Sequence, residues 1–332
     1  MFYGNVLQIR FIISILLLLI ALILSLSTND CINNPVKVFH NLLTGDSQSL
    51  NLAILWQIRM PRMLFALVAG ISLSVSGYIL QVLTNNCLAD PFIIGIASGA
   101  GLFSILGLFG GLSCQLLPAI AFLGSLLTCV IVLKIAYQNQ LINSTRLLLG
   151  GFAISSLCSA VITLLVLLNG NNLKVMNLLY WLFGTLANKT LADLNFPVVL
   201  AILGFCLTLY LAKALRILNL GISSASNFGL NVPTLQLSLL ILAVLMCSSI
   251  TAYCGIIGFV GLIAPNIGRK IFYQDERYQI MGTAIIGSII VVVADILTRI
   301  TIPGQDLPIG SVLALIGSPF FLYLMNEYNF EN

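Results

Sequence analysis

Arg59, Arg62 and Arg299 are the residues of this chain whose type and placing could do chemistry, and that chemistry is ion pairing rather than bond breaking. A guanidinium is always charged and presents a planar fork that matches a carboxylate bidentately. Arg59 and Arg62 flank Pro61 in WQIRMPRMLFALVAG, and proline suits a first helical position. Cations at a helix start oppose the dipole at a cost of about 0.3–1 kcal/mol each, so their presence asks for a reason. Two readings stay open: anchors reaching outer headgroups, or a docking surface for an acidic partner. Arg299 follows Asp295 by four residues, in the order that favours an intrahelical pair. Pro303, Gly304 and Pro308 then break that helix, and Gly310 opens the next.

A second group is uncharged. Gly258 to Arg269 reads GFVGLIAPNIGR, three glycines and a proline in an apolar run that stops at Arg269 and Lys270. Small residues let helix backbones approach, and neighbours satisfy any group that proline frees, so this stretch predicts a helix packed inside a membrane bundle. Gly70, Ser72, Ser74, Ser76 and Gly77 predict another close-packing face. Asn85, Asn86, Asp90 and Pro91 form a polar turn, followed by the small residues Gly95, Ser98, Gly99 and Gly101. Helix packing accounts for these residues by itself; the sharper reading is that they border a path with an inner constriction. The stretch LNLGISSASNFGLNVPTLQ from Leu218 has helix-like content broken by Gly221, Gly229 and Pro233. Leu220, Ile222, Phe228 and Leu230 would suit a short helix pressed into a partner's groove, or one lying on a bilayer.

Other chemistries find no support. The nearest approach to a phosphate-binding loop, GTLANKT from Gly184, has the wrong spacing and lacks the second glycine. The single histidine, His40, falls in an outer loop, and no paired buried carboxylates or metal-spaced ligands appear. No carbonyl filter or arginine-repeat voltage sensor is present. Proton coupling needs ionisable residues within spans; Asp295 is the best such residue, and Arg299 can neutralise it. The eight cysteines form no C-x-x-C pair. Cys87, Cys129, Cys158, Cys206, Cys247 and Cys254 sit in or beside apolar runs as small fillers. Cys31 and Cys114 fall outside them, and a disulfide between the two stays open.

The elements that position these residues follow from composition. The chain of 332 residues is 59% hydrophobic and only 7% charged, against about 25% charged in soluble domains. It cannot cover a water-facing surface, and its long continuous apolar runs predict helices rather than a barrel. The expected fold is an all-α integral membrane protein of about ten transmembrane helices, near 11–28, 62–84, 92–111, 116–137, 147–168, 195–216, 235–254, 256–271, 280–300 and 310–326. The first run is long for a signal-peptide core and no A-x-A site follows, so it is read as a retained span. An even number of spans puts both termini on one side. Taking that side as the cytoplasm leaves eight of the 14 lysines and arginines inside and six outside. The bias sharpens to eight against three if Arg59, Arg62 and Arg299 have their own reason to be outside. The net charge of +4 is scattered, and no basic run suggests nucleic acid.

From about Trp56 to Met325 the chain resembles the FecCD-type permeases, the membrane subunits of ABC importers for iron-siderophores, haem and vitamin B12. The resemblance rests on Arg59, Pro61 and Arg62 before the second span. It rests also on the turn Asn86, Leu88, Ala89, Asp90, Pro91, and on Gly258, Phe259, Gly261, Leu262, Pro265 and Arg269. Asp295 and Arg299 followed by Leu307, Pro308 and Gly310 complete it. It implies one permease domain over 1–332, of the vitamin B12 importer (type II) architecture, in the bacterial inner membrane, usually as a homodimer. It implies two ATPase subunits inside, which carry ATP and magnesium, while this chain holds no cofactor and no metal. A periplasmic or lipid-anchored binding protein would dock on Arg59, Arg62 and Arg299. A coupling-helix loop at 217–234, with Leu220, Gly221, Ala225, Phe228 and Gly229, would sit on the ATPase. Asn86, Leu88, Ser144 and Thr145 are candidates for the inner gate, and spans 147–168 and 310–325 would line the path. A molybdate-type oxyanion on the same architecture, or an ATP-independent channel or scaffold, are the alternative readings.

The chain departs from the family pattern in three places. Asn266 stands where histidine is usual, Ile222 and Ser223 replace two acidic residues of the coupling loop, and Cys87 replaces a proline of the asparagine turn.

Overall fold

Among the described residues, the apolar runs read from the sequence are helices. The computed structural model describes residues 2–27, 54–113, 115–138, 141–168, 176, 179–273, 275–302 and 305–329. In chain order the helices are α1 Phe2–Ser27, α2 Met60–Thr84, α3 Ile96–Phe109, α4 Leu117–Ala136, α5 Ser144–Leu168 and α6 Leu191–Tyr210. They continue with the short α7 Ala212–Leu218 and α8 Ile222–Asn227. After these come α9 Val232–Cys254, α10 Val260–Ile271, α11 Glu276–Ile300 and α12 Ile309–Asn329. Apart from α7 and α8, these make ten among the described residues, in keeping with the expectation of about ten. Eight are long and apolar enough to cross a membrane. The other two, α3 with 14 residues and α10 with 12, fall short of the ~20 a full crossing needs.

Several boundaries differ from the sequence reading, each for a local reason. A π-turn over Leu55–Arg59 runs straight into α2, so Arg59 and Arg62 lie inside a continuous helical rod rather than at its first residue. Such π-turns are rare and cluster at functional sites. The span expected to continue to 216 breaks at Leu211, where α6 ends and α7 begins. The span expected from 256 begins only at Val260, because Phe259 takes a left-handed conformation with φ 68°. The span expected from 92 opens as a 3-10 turn, Pro91–Ile94, and becomes α-helical at Ile96. Cys31, Cys114, His40, Pro303 and Gly304 lie outside the described residues.

α2 is the central post. It is packed by α11, α9 and α10, while α3 pairs with α4, and α1 lies along α11. Of the most apolar stretch of each span, 83% is buried in α2 but 11% in α5, 17% in α1 and 22% in α12. The last three therefore turn most of their surface away from this chain, toward lipid or a partner.

Close approach explains the small residues of α2. A Cβ added at Gly77 would lie 1.9 Å from the Gly261 carbonyl oxygen, and one at Gly70 would lie 2.3 Å from Ser288 Cα. Backbones touch at both crossings. Hydroxyls tie α2 to its neighbours as well: Ser76 Oγ donates to Ala243 O of α9 at 3.0 Å, and Ser288 Oγ of α11 to Leu67 O at 3.2 Å. Without a hydrophobic drive between helices in lipid, this packing and these bonds hold the bundle, at roughly 0.6 kcal/mol per interhelical bond. Gly258 is a correction to the packing reading, since nothing lies within 4 Å of a Cβ placed there.

Candidate translocation cavity and the polar clusters at its ends

The start of α2 and the end of α11 lie at one end of the bundle, and there the three arginines meet. Each is nearly buried within this chain: Arg59 is 5% exposed, and Arg62 and Arg299 are 9% exposed. Arg62 donates through Nε to Asp295 Oδ1 at 2.8 Å and through Nη1 to Asp306 Oδ2 at 2.7 Å. Arg299 pairs with the other oxygen of Asp295 at 3.0 Å, as the four-residue spacing predicts. Arg62 Nη2 donates to Thr298 Oγ1 of α11 at 3.3 Å and Arg299 Nε to Asp295 O at 3.3 Å; other donors reach α1. Arg59 Nη1 bonds Leu26 O at 2.6 Å, and Arg299 bonds Ser25 O at 3.0 Å and Ser25 Oγ at 2.9 Å. The last carbonyls of a helix have no partner within it, and that end carries negative dipole charge. Arg59, a cation near the start of its own helix, and Arg299, at the end of its own, therefore both cap a neighbour. A protein docking at this end would meet the rim of a closed ion cluster, of which Asp306, with a 42% exposed side chain, is the open edge.

Asp306 was missed as a site residue because PGQDLP reads as a polar turn. It leads directly into α12, whose first turn is held by backbone bonds. Ile309 N donates to Gly184 O at 3.0 Å and Gly310 N to Phe183 O at 2.9 Å. Thr185 N donates to Cys254 O at 2.8 Å. Gly184 and Gly255, with φ 76° and 75°, make that junction possible. A Cβ on Gly310 would lie 2.4 Å from Phe183 O, so Gly310 and Pro308 place the helix as the sequence suggests.

Beside this junction lies an open cavity of about 740 Å³. Leu182, Phe183 and Phe259 line it on one side and Ala314, Leu315 and Pro319 on the other. Gly258 faces it too, which is why that glycine has no close neighbour. The hydroxyls in its lining, Ser311 and Ser318, donate to Pro308 O at 2.7 Å and to Ala314 O at 2.8 Å. Their protons are therefore spent within α12. Among the described residues, no charged side chain lines the cavity.

At the opposite end, the turn after α2 is built as expected. Asn85 takes the left-handed conformation with φ 49°, Asn86 Oδ1 accepts from Leu88 N at 2.9 Å, and Asp90 Oδ1 accepts from Phe92 N at 2.9 Å. Burial pushes the Asp90 carboxyl up to about 6, against the lowering effect of that bond. The turn is tied to α10. Asn266 Nδ2 donates to Cys87 O at 2.9 Å and to Leu262 O at 2.8 Å, so the amide that replaces histidine bridges helix and turn. Pro265 is buried in α10, and a Cβ on Gly261 would lie 2.6 Å from Pro91. Asn86 and Leu88 are half-buried in this turn, as is Ser144 at the start of α5, whereas Thr145 is exposed. The structure ties Asn86 and Leu88 to each other; no bond joins them to Ser144 or Thr145 among the described contacts.

The loop after α7 holds the short helix α8, between Gly221 at φ 105° and Gly229 at φ 80°. Leu220 is 66% exposed and Phe228 69%, free to meet another chain. Ala225 is fully buried against its own chain and cannot contact a partner, which corrects its assignment to an intermolecular surface.

Fold and cavity together define a multi-pass α-helical permease, a wall for a path with no catalytic constellation among the described residues. The chain belongs to the FecCD transport family, whose model matches residues 17–327. It is 34% identical to the vitamin B12 import system permease protein BtuC of Yersinia enterocolitica, over 94% of this chain and 91% of that protein. It is 32% identical to the Fe(3+)-citrate import system permease protein YfmE of Bacillus subtilis, over 96% of each. Among solved structures, it is similar to a metal-chelate type ABC transporter in an inward-facing conformation. The TM-score there is 0.83 at 27% identity, covering 96% of this chain and 99% of that one.

Proposed function

We propose that this chain is the membrane-spanning subunit of an ATP-driven importer that carries a bulky metal chelate, such as an iron-siderophore, haem or cobalamin, into the cytoplasm. The observation that carries the cargo class is the cavity beside α12. An oxyanion such as molybdate needs hydrogen-bond donors or cations, and here the lining is apolar and both serine hydroxyls point their protons elsewhere. A large chelate with an apolar periphery can slide along such a wall without sticking. Two copies would face each other across the path, with the outward faces of α5 and α12 as its walls. Both termini would lie in the cytoplasm of a bacterial inner-membrane protein, and a binding protein would deliver cargo at the arginine end. Asn86, Leu88, Ser144 and Thr145 would narrow the inner exit. ATP and magnesium would be bound by two separate ATPase chains seated on the 217–234 loop, with Leu220 and Phe228 as contacts.

Uptake tests the reading. A strain lacking this gene should lose accumulation of one radiolabelled chelate among ferric siderophores, haem and cobalamin while keeping molybdate uptake. Loss of molybdate alone would assign the oxyanion, and transport by the purified chain without nucleotide would make it a channel. The contact surface has its own test. Phe228→Ala should leave thermal stability unchanged, because the ring is mostly exposed, and should weaken co-purification of the ATPase by about tenfold or more, as removal of an aromatic anchor does.

A further inference from the structure

A polar chain, buried at its centre, joins the 217–234 loop to the turn at 86–91, and of its side chains the sequence reading singled out only Arg269. Asn219, just before the hinge glycine Gly221, donates through Nδ2 to Glu276 Oε1 at 3.3 Å. Glu276 is the first residue of α11 and is 8% exposed. Its carboxylate also accepts the Tyr78 hydroxyl. Tyr78 is fully buried on α2, and the Arg269 guanidinium of α10 lies over its ring, 5.8 Å from the centroid. Arg269 Nη2 donates to Gln81 Oε1, one helical turn along α2 from Tyr78. Gln81 Nε2 then donates to Ala89 O at 3.3 Å, in the turn itself, and to Gly261 O at 3.2 Å. The orientation of the Gln81 amide is fixed by this arrangement, since only its nitrogen can serve two carbonyls and only its oxygen can serve a guanidinium.

We infer that Glu276, Tyr78, Arg269 and Gln81 are a relay that passes displacement of the α8 segment to the Asn86–Pro91 turn. The inference rests on the importer reading, in which those two segments are the ATPase contact and the inner gate. Each link crosses from one helix to another: loop to α11, α11 to α2, α2 to α10, and α10 back to α2 and its turn. Packing alone would hold these helices together with apolar side chains. Tyr78, Gln81 and Glu276 are buried, and buried groups that satisfy one another are costly to leave half-made, so the string favours discrete arrangements over gradual slippage. The α8 segment can move as a unit, because Gly221 and Gly229 have positive φ and nothing within 4 Å of a Cβ position. Asn219 is exposed at its edge, where movement would be felt first. Contiguity by itself is not coupling, and coupling has to be measured.

The experiment uses the permease with its ATPase chain in lipid nanodiscs, with every cysteine except Cys87 replaced. Cys87 lies in the turn and is half-buried, so its reaction rate with a soluble maleimide reports the state of the turn. In the parent, ATP and magnesium should change that rate. Tyr78→Phe keeps the ring under Arg269 and removes the hydroxyl; Asn219→Ala changes an exposed residue that folding does not require. Each should abolish the nucleotide-dependent change while ATP is still bound and hydrolysed, and the double variant should be no worse than either single. Variants that keep the parent's response overturn the relay, and so do partial losses that add in the double variant, which would mark independent anchors. A parent that shows no response to nucleotide overturns the importer reading, and the relay with it.

Discussion

Replacing Asp295 with alanine is expected to destabilise the purified chain by about 3–5 kcal/mol, because removing one partner of a buried ion pair leaves the other charge unpaired. Asp295 is fully buried and neutralises both Arg62 and Arg299. Its loss leaves Arg62 with the half-exposed Asp306 as its counter-charge and the neutral Thr298 hydroxyl, and leaves Arg299 with neutral partners, the carbonyl and hydroxyl of Ser25 and the backbone carbonyl of residue 295. The cluster pins α1, α2, α11 and the segment that enters α12, so the damage should spread to the mouth of the cavity. Asp295→Asn should cost less, since an amide oxygen can still accept from Arg62 Nε while the charge is gone. Chemical unfolding in detergent ranks the two variants. Equal stability of alanine variant and parent would mean that lipid or water satisfies the arginines and that the cluster is not structural.

Gly77→Ala and Gly258→Ala should differ sharply although both add one methyl group. At Gly77 the new carbon would lie 1.9 Å from a backbone oxygen of α10, which cannot rotate away. The two helices must separate, and overpacking of this kind costs roughly 3 kcal/mol. At Gly258 nothing lies within 4 Å, and the effect on stability should be small. Thermal unfolding of the two proteins decides the matter. Gly77→Ala should also lose uptake, because α10 carries Asn266 and Arg269 to the turn. A stable, active Gly77→Ala protein would show that the α2–α10 crossing is looser than drawn.

These two cases show where reading the chain succeeded and where it stopped. The pairing of Asp295 with Arg299 was legible, because four residues on a helix always face each other. The addition of Arg62 and Asp306 was not, because it joins residues 233 and 244 positions apart. The arginines were recognised as needing a reason to sit at a helix start. Their reasons lie elsewhere in the chain: for Arg59 the open carbonyls at the end of α1, for Arg62 the carboxylates of Asp295 and Asp306. Gly77 was legible as a packing residue by its company of serines. Gly258 looked the same in sequence and proved to face a cavity, since composition cannot say which side of a glycine is occupied. Glu276 was passed over because it opens a helix, where an acidic residue favours the dipole whether buried or not. Tyr78 and Gln81 looked like ordinary members of an apolar span.

Composition and run length by themselves determined that this is a multi-helix membrane protein and fixed the order of its ten apolar helices, because lipid admits few backbone solutions and each demands long apolar runs. Local spacing determined its turns, the Asp295–Arg299 pair and the motifs that carry the family likeness. Tertiary structure decided which polar groups met across helices, which arginines were spent on a neighbour's carbonyls, and where a wall was left open as a cavity. Those outcomes depend on the rotation and crossing of whole helices. These are set by contacts between residues far apart in the chain, and no local pattern records them.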